Sequence, residues 1–114
     1  MKKKIAILGS TGSIGKSTLE VIKKDKKNFN VVYLSANNNY KKLIQQAKEF
    51  NAKNVLIKNE KFYEIVRNSL KKNKTKVFSG NTSINKIISG KLDYTMSAIV
   101  GLAGLQPTID IIKV

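Results

Sequence analysis

Two hydrophobic periods alternate along this chain. Short apolar runs, typical of buried strands, are separated by stretches in which apolar residues recur three or four positions apart, as on one face of a helix. The pattern predicts strands at 4–8, 31–34, 55–57, 77–79 and 93–100. It predicts helices at 13–26 and 40–50, one that begins after Asn59, a brief one that ends at Gly90 and a last one that starts at Pro107. This alternation predicts an α/β fold, a doubly wound parallel sheet with helices on both faces.

The same spacing predicts which side of each helix turns inward. The inward face of the first helix would consist of Ile14, Thr18, Val21 and Ile22, and that of the second of Tyr40, Leu43, Ile44, Ala47 and Phe50. The third helix, capped by Asn59, would bury Phe62, Ile65, Val66 and Leu70. The last helix would hold Ile109 and Ile112.

Three glycines follow the first predicted strand at once. Gly9, Gly12 and Gly15 have the spacing Gly-x-x-Gly-x-x-Gly and lead directly into the first helix. In this context the first glycine permits a sharp turn, the second lets the backbone approach a pyrophosphate, and the third allows tight packing of helix on strand. The unpaired N–H groups at the helix start suit a phosphate. The order predicts a Rossmann-like nucleotide-binding fold; the alternative is a strand–helix turn that binds nothing.

The end of the second strand indicates which dinucleotide is bound. An NAD enzyme usually has Asp or Glu there, which holds the ribose hydroxyls. This chain instead continues with Ala36, Asn37, Asn38 and Asn39, and lysines follow at 41 and 42. Because a carboxylate would repel the 2′-phosphate of NADPH, its absence favours NADPH over NADH. The alternative is an Asn-rich turn without a role in binding.

A third segment belongs to the same predicted cleft. Ligands of such sheets bind outside the carboxyl ends of the strands, where the strand order reverses. Segments 9–15, 36–39 and 97–104 would meet there, and the last, which contains Ala98, is small and apolar. It would suit the flank of an adenosine or a nicotinamide ribose, or it is simply a packed strand end. Together the three segments predict a cofactor cleft without a reaction centre.

The composition excludes several kinds of chemistry. The 114 residues, enough for one domain, contain no Cys and no His, which removes thiol nucleophiles, disulfides and histidine acid–base catalysis. Only 7 residues are Asp or Glu, and none form an obvious acid–base pair or metal cluster. Asp93 and Tyr94 are the nearest candidates for chemistry, but a strand start and a half-buried aromatic residue are the favoured interpretation. We therefore predict no catalytic and no metal-binding residue in this chain.

The formal net charge of +15 allows two interpretations. A basic nucleic-acid binder is one, but such proteins favour arginine, and Arg67 is the only arginine here. Lysines scattered over solvated helix faces are the favoured interpretation, so we expect no nucleic-acid partner. The apolar run after Lys4 is too short for a signal peptide, and no stretch has the length of a membrane span. We expect a cytoplasmic protein without a membrane partner.

Two long segments resemble one enzyme family. Residues 7–19, ILGSTGSIGKSTL, and 96–108, MSAIVGLAGLQPT, resemble 1-deoxy-D-xylulose 5-phosphate reductoisomerase, and the ending of the second strand fits the same register. The resemblance implies that Thr11, Gly12, Ser13 and Ile14 bind the NADPH phosphates and that residues 37–39 hold the adenosine ribose with its 2′-phosphate. Members of the family often carry Gly and then a basic residue at the first two positions of that turn. Asn37 and Asn38 depart from this pattern, whereas Asn39 matches it. The predicted cofactor-binding residues are Gly9, Thr11, Gly12, Ser13, Ile14, Asn37, Asn38, Asn39 and Ala98.

The resemblance also implies an activity. The family rearranges 1-deoxy-D-xylulose 5-phosphate and reduces it with NADPH to 2-C-methyl-D-erythritol 4-phosphate, in isoprenoid precursor synthesis, with a divalent metal such as Mg or Mn. By this resemblance, residues 1–114 would be the NADPH-binding domain at the N-terminal end of a longer, homodimeric enzyme that acts on a phosphosugar, and would be inactive alone. The core around Ile109 and Ile112 would be incompletely covered, because the family continues the fold there. Two alternatives stay open: a non-catalytic NADP(H)-binding module, and another NADP-dependent reductase domain, such as a relative of aspartate-semialdehyde dehydrogenase.

Overall fold

The fold is built on one mixed sheet. The computed structural model describes residues 3–80, 92, 94–99 and 108–113, the last two ranges by their backbone. Within these ranges six strands form the sheet, in the order β4-β3-β2-β1-β5-β6. In chain order they are β1 Lys3–Leu8, β2 Phe29–Ala36, β3 Asn54–Ile57, β4 Lys76–Ser79, β5 Tyr94–Ile99 and β6 Thr108–Lys113. Strands β1 to β5 pair in parallel, and β6 pairs antiparallel with β5.

Three helices connect the first four strands. They are α1 Ser13–Lys23, α2 Tyr40–Phe50 and α3 Tyr63–Leu70. Single turns of 3₁₀-helix at Lys26–Asn28, Glu60–Phe62 and Lys71–Asn73 complete the connections. The predicted boundaries hold for α2, whereas α1 ends at Lys23, three residues earlier than predicted. None of the helices in the described ranges is long and apolar enough to cross a membrane.

All three helices pack against one face of the sheet. The main core joins alternate residues of the strands to the buried stripes of the helices: Ile5, Ile7, Val31, Leu34, Ala36, Val55 and Ile57 from the strands, and Leu19, Ile22, Leu43, Ala47, Val66 and Leu70 from the helices. The connections β1–α1–β2, β2–α2–β3 and β3–α3–β4 advance in the same direction across the sheet. Right-handed crossovers that advance in one direction place their helices on one face.

The opposite face carries a smaller apolar cluster. Ala6, Tyr33 and Leu56 are buried there, and Leu8, Phe78 and Leu92 pack against them. The helix predicted to end at Gly90 lies outside the described residues.

The strand order reverses beside β1. From β1 the chain moves outward to β4, and it returns on the other side of β1 with β5. This is the strand order of a Rossmann-like sheet, so the predicted α/β, Rossmann-like class is confirmed. Two details differ from the prediction: β6 makes the sheet mixed, and the helices within residues 3–80 lie on one face only. The reversal places the carboxyl ends of β1 and β5 side by side, with the glycine loop directly after β1.

The predicted last helix is wrong. Residues 108–113 form strand β6, in which Thr108 pairs with Ile99 and Lys113 with Tyr94. The segment contains Thr108, Ile109, Ile111 and Ile112. Such β-branched side chains lose rotamer freedom in a helix and fit a pleated strand better. The predicted gap in the core around Ile109 and Ile112 concerns side chains outside the described set.

Two predicted helix faces are wrong in part. In α1 the buried residues are Gly15, Leu19 and Ile22, whereas Val21 is 67% exposed. Gly15 is where the helix comes closest to the loop before it, so the inward stripe follows Gly15 at positions four and seven further on. In α3, Val66 and Leu70 are buried as predicted, but Ile65 is 45% exposed.

Candidate nucleotide-binding site

The loop between β1 and α1 is folded against the end of β2. Gly9 has a positive φ of 73°. This conformation starts the turn, and it is unfavourable for residues that carry a side chain. The Gly12 N–H donates to the Gly9 carbonyl at 3.2 Å. The Gly9 N–H donates to Ser35 Oγ at 3.0 Å, and the Ser10 N–H donates to the Ser35 carbonyl at 2.9 Å. Ser35 of β2 therefore holds the first turn of the loop in place.

Gly15 allows α1 to lie directly on this loop. A Cβ added at Gly15 would stand 2.5 Å from Ser10 Cα and 2.6 Å from the Gly9 carbonyl oxygen, both backbone atoms. No side chain fits at such distances, so the helix reaches its position only with glycine there. The expected role of the third glycine, close packing, is what the geometry shows.

The amino end of α1 is open. Gly12 is its N-cap, no side chain caps the helix and no acidic residue lies in its first turn. The first intrahelical bond runs from the Lys16 N–H to the Gly12 carbonyl at 2.9 Å, so the N–H groups of Ser13 and Ile14 precede it and have no acceptor within the helix. Gly12 and Ser13 are exposed, and a Cβ on Gly12 would meet only the Gly9 carbonyl oxygen, at 3.5 Å. Unpaired donors, room and the positive end of the helix dipole fit a phosphate.

Ser10 joins the loop to α2. The hydroxyl of Ser10 donates to Gln46 Oε1 at 2.8 Å, and Gln46 Nε2 donates to the Ser10 carbonyl at 2.9 Å. Both residues are buried. The glycine loop is thus hydrogen-bonded to α2 at Ser10, and its other end leads to the open N–H groups at the start of α1. Thr11 lies between these parts, half-buried.

The Asn turn after β2 lies at the same edge of the sheet, and its side chains differ in what they do. Asn39 is the N-cap of α2, because its Oδ1 accepts the Lys42 N–H at 3.2 Å. Asn38 Oδ1 accepts from Asn59 Nδ2 at 2.8 Å. Asn37 takes part through its backbone carbonyl, which accepts the Asn59 N–H at 3.0 Å. All three asparagines are exposed.

The register between β1 and β5 determines the position of Ala98. Ser97 pairs with Leu8, the last residue of β1, so Ala98 follows one position further toward the carboxyl edge, beside the glycine loop. On its other side Ala98 pairs with Ile109 of β6. Residues 100–104 of the predicted third segment lie outside the described residues, as does Asp93.

Four residues near these segments were missed by the sequence interpretation: Ser35, Gln46, Lys58 and Asn59 as a partner of the Asn turn. Gln46 carried a usable signal, since it is a polar residue on the inward stripe of a helix whose other members are apolar. The remaining contacts join separate strands, and no local pattern indicates them.

One titratable residue of β2 has a shifted pKa. Burial raises the pKa of the Tyr33 phenol above its usual value, and a hydrogen bond with the Ser35 side chain acts in the opposite direction. Within the described residues, no three His, Cys, Asp or Glu side chains come together in a way that could hold a metal ion.

The comparisons with known proteins all point to one family. The model of the family described as 1-deoxy-D-xylulose 5-phosphate reductoisomerase matches residues 5–114. The 1-deoxy-D-xylulose 5-phosphate reductoisomerase of Pelagibacter ubique (strain HTCC1062) is 54% identical over 113 residues, which are 97% of this chain and 29% of that protein. The chain therefore spans less than a third of the length of this relative.

Solved structures agree with the sequence comparison. The 1-deoxy-D-xylulose 5-phosphate reductoisomerase from Zymomonas mobilis in complex with NADPH is similar with a TM-score of 0.81 and 33% identity, over 89% of this chain and 27% of that one. A DOX-P reductoisomerase in complex with NADPH, fosmidomycin and magnesium is similar with a TM-score of 0.65 and 28% identity, over 69% of this chain and 20% of that one.

Proposed function

The chain belongs to the 1-deoxy-D-xylulose 5-phosphate reductoisomerase family, and we propose that it is the NADPH-binding portion of such an enzyme. One observation of the structure carries the proposal: the amino end of α1 has no side-chain cap, and its N-cap residue Gly12, in the loop after β1, is exposed. The free N–H groups there suit the pyrophosphate of a dinucleotide. The solved relatives that hold NADPH support this choice of ligand.

Each segment of the cleft has a proposed role. The glycine loop, with Gly9, Thr11, Gly12, Ser13 and Ile14, takes the pyrophosphate. The turn of Asn37, Asn38 and Asn39 takes the adenosine ribose with its 2′-phosphate. Ala98, at the end of β5 beside β1, flanks the nucleotide. When bound, NADPH supplies the hydride for reduction; these residues bind and orient it.

The activity of the whole enzyme is part of the proposal. With the polypeptide that its relatives possess beyond this length, the chain would take part in the rearrangement and reduction of 1-deoxy-D-xylulose 5-phosphate to 2-C-methyl-D-erythritol 4-phosphate. This reaction belongs to isoprenoid precursor synthesis, in the cytoplasm, in a homodimer. We expect the 114 residues alone to be inactive. The divalent metal of the family does not fit the described residues, which hold no cluster of metal ligands.

Calorimetric titration of the chain with NADPH, NADH and ATP tests the proposal. We expect NADPH to bind more tightly than the other two nucleotides. The variant Gly12→Asp should abolish binding, because its carboxylate would occupy the position of the phosphate. At the same time it should stabilise the fold by a few tenths of a kcal/mol, since Asp is a better N-cap than Gly and φ is −76° there.

A matched control adds the same charge elsewhere. Asn68→Asp places one carboxylate on the exposed side of α3, near the edge strand β4. It should leave NADPH binding within about twofold of the parent chain, since exposed charges a Debye length apart interact weakly. If the parent chain binds none of the three nucleotides, or if Gly12→Asp binds NADPH as well as the parent does, the proposed function is wrong.

A further inference from the structure

We propose that Lys58 and Asn38 together recognise the 2′-phosphate of NADPH, at a site formed by the ends of β2 and β3. Lys58 supplies the positive charge, and Asn38 supplies an amide donor that Asn59 holds in position. The inference rests on the proposed function, that this chain binds NADPH, and it names the residues that select NADPH over NADH.

The Asn turn itself supplies no positive charge that could bind the 2′-phosphate. Residues 37–39 are uncharged, and Asn39 Oδ1 is engaged in capping α2. The side chain of Lys42, which follows the turn in sequence, is directed elsewhere: its Nζ lies 3.5 Å from Gln45 Oε1, and it lines a groove between α1 and α2 together with Lys16. A dianionic 2′-phosphate would therefore meet no cation from this part of the chain except Lys41.

Lys58 lies beside the turn through the pairing of β2 with β3. Its N–H donates to the Ala36 carbonyl at 2.9 Å, and the next N–H, of Asn59, donates to the Asn37 carbonyl at 3.0 Å. The first bond is the last of the parallel ladder between β2 and β3, and the second joins the two chains just beyond it, so that 58 and 59 run alongside 36 and 37. The Lys58 side chain is exposed and, within the described ranges, forms no ion pair. Its long stem leaves the ammonium free to reach a phosphate at the turn.

The nearest acid in sequence is turned to the other side. A Cβ placed on Gly80 would stand 3.1 Å from Glu60 Oε1, so the Glu60 carboxylate lies over the end of β4. Strand β3 separates β4 from β2. The carboxylate is therefore directed away from Ala36, and it leaves the charge of Lys58 available on the side of the turn.

A chain of hydrogen bonds determines which end of the Asn38 amide faces outward. The Lys61 N–H donates to Asn59 Oδ1 at 3.1 Å, which identifies the other end of that amide as the donor. Asn59 Nδ2 then donates to Asn38 Oδ1 at 2.8 Å. Asn38 Nδ2, with its two N–H donors, is the end that remains for a ligand. An amide donor beside an ammonium suits a phosphate, which offers only acceptors when ionised.

The decisive comparison uses two lysines at opposite ends of β3. Lys53 precedes the strand and Lys58 follows it, both are exposed, and replacing either by Met removes one positive charge. Calorimetric titration of the chain with NADPH, NADH and adenosine 2′,5′-bisphosphate measures each variant. For Lys58→Met we expect about tenfold weaker binding of NADPH and of the bisphosphate, and less than about a twofold change for NADH. Lys53→Met should change all three by less than about twofold.

Asn59→Ser tests the positioning step. The serine hydroxyl can still accept the Lys61 N–H, but it is too short to reach Asn38. We expect about fivefold weaker NADPH binding with NADH binding unchanged, since one neutral hydrogen bond contributes about 1 kcal/mol, which is about fivefold in affinity.

The outcomes separate this inference from the proposed function. If NADPH binds the parent chain but Lys58→Met behaves like Lys53→Met, the inference is wrong and NADPH binding stands. If Lys41→Met removes the preference for NADPH and Lys58→Met does not, the charge comes from α2 and the inference is again wrong. If the parent chain binds NADPH and NADH equally, no 2′-phosphate site exists. If it binds neither, the proposed function fails first, and the inference with it.

Discussion

Ser10 and Gln46, 36 positions apart in the chain, are joined by two hydrogen bonds of 2.8 and 2.9 Å. Ser10 is completely buried and Gln46 is 4% exposed, so water cannot easily replace either bond. The pair fixes the loop after β1 on α2, the helix that begins at the Asn turn. The glycine loop is proposed to bind the pyrophosphate, and the Asn turn is proposed to bind the adenosine ribose. The buried hydrogen bonds between Ser10 and Gln46 therefore connect these two parts of the site.

Removing this link should cost stability and binding together. Gln46→Ala removes both bonds: the Ser10 carbonyl loses this buried donor, and the Ser10 hydroxyl keeps only the longer bond of 3.3 Å to the Ser35 carbonyl. We expect this to lower the free energy of unfolding by about 1–3 kcal/mol. NADPH affinity should also fall, because the loop loses its anchor. Urea denaturation measures the first effect and calorimetric titration the second. Gln45→Ala, at an exposed position next to it, is the control and should change stability by less than about 0.5 kcal/mol. Equal stabilities of the two variants would contradict the assigned role of Gln46.

The glycines of the loop should respond differently to alanine. Gly15→Ala forces a Cβ to within 2.6 Å of backbone atoms, so we expect a loss of about 1–3 kcal/mol or more. Gly12→Ala meets only ordinary contacts at 3.5 Å and should cost less than about 1 kcal/mol. Thermal unfolding of both variants, followed by circular dichroism, gives the comparison. A Gly15→Ala protein as stable as Gly12→Ala would mean that α1 can move away from the loop at little cost.

Asn39 should show two separable roles. Its side chain caps α2, and Asp or Ser at this position can also accept the Lys42 N–H. We therefore expect Asn39→Asp and Asn39→Ser to keep the stability of the parent chain to within about 0.5 kcal/mol, and Asn39→Ala to lose about 1 kcal/mol. Asn39→Asp alone should bind NADPH more weakly, since its carboxylate repels the 2′-phosphate, while NADH binding changes little. Equal NADPH affinity of the Asp and Ser variants would place the 2′-phosphate away from residue 39.

Tyr33 should make stability fall in alkaline solution. Burial raises its pKa in the folded chain, so above a pH of about 10 the unfolded chain loses the phenolic proton while the folded chain retains it. The unfolded state then binds fewer protons, and the free energy of unfolding decreases as pH rises from there to the folded-state pKa. Below that window the contribution is fully present.

Tyr33→Phe isolates this effect. We expect the difference in unfolding free energy between the parent chain and Tyr33→Phe to be constant between pH 7 and about 9 and to decline above about 10. Urea denaturation at a series of pH values measures it. Lysines also titrate in this range, but they are common to both proteins and cancel in the difference. Parallel pH profiles up to pH 11 would show that the phenol ionises equally well in the folded chain.

Local patterns account for the part of the fold that could be predicted. The apolar runs of β1 to β4 and the helical spacing in α2 are properties of consecutive residues, and they determine which element forms. The glycine loop was predictable for the same reason, because its chemistry lies in seven consecutive positions between a strand and a helix. The errors occur where a local pattern fits two structures. Residues 108–113 allow a helix by spacing, but their β-branched side chains and the open edge of β5 favour a strand.

Local sequence patterns were sufficient for strands β1 to β5, for helices α1 to α3 and for the Rossmann-like class, and they show that no carboxylate stands at the end of β2. Which residues contact one another depends on the tertiary structure. Val21 is exposed because α1 packs on the loop through Gly15. Ser10 bonds to Gln46, and Lys58 lies beside Ala36, through contacts between segments that are far apart in the chain. Periodicity reports how each segment partitions between water and core, whereas contacts between distant segments depend on strand order and register, which form only when the whole sheet assembles.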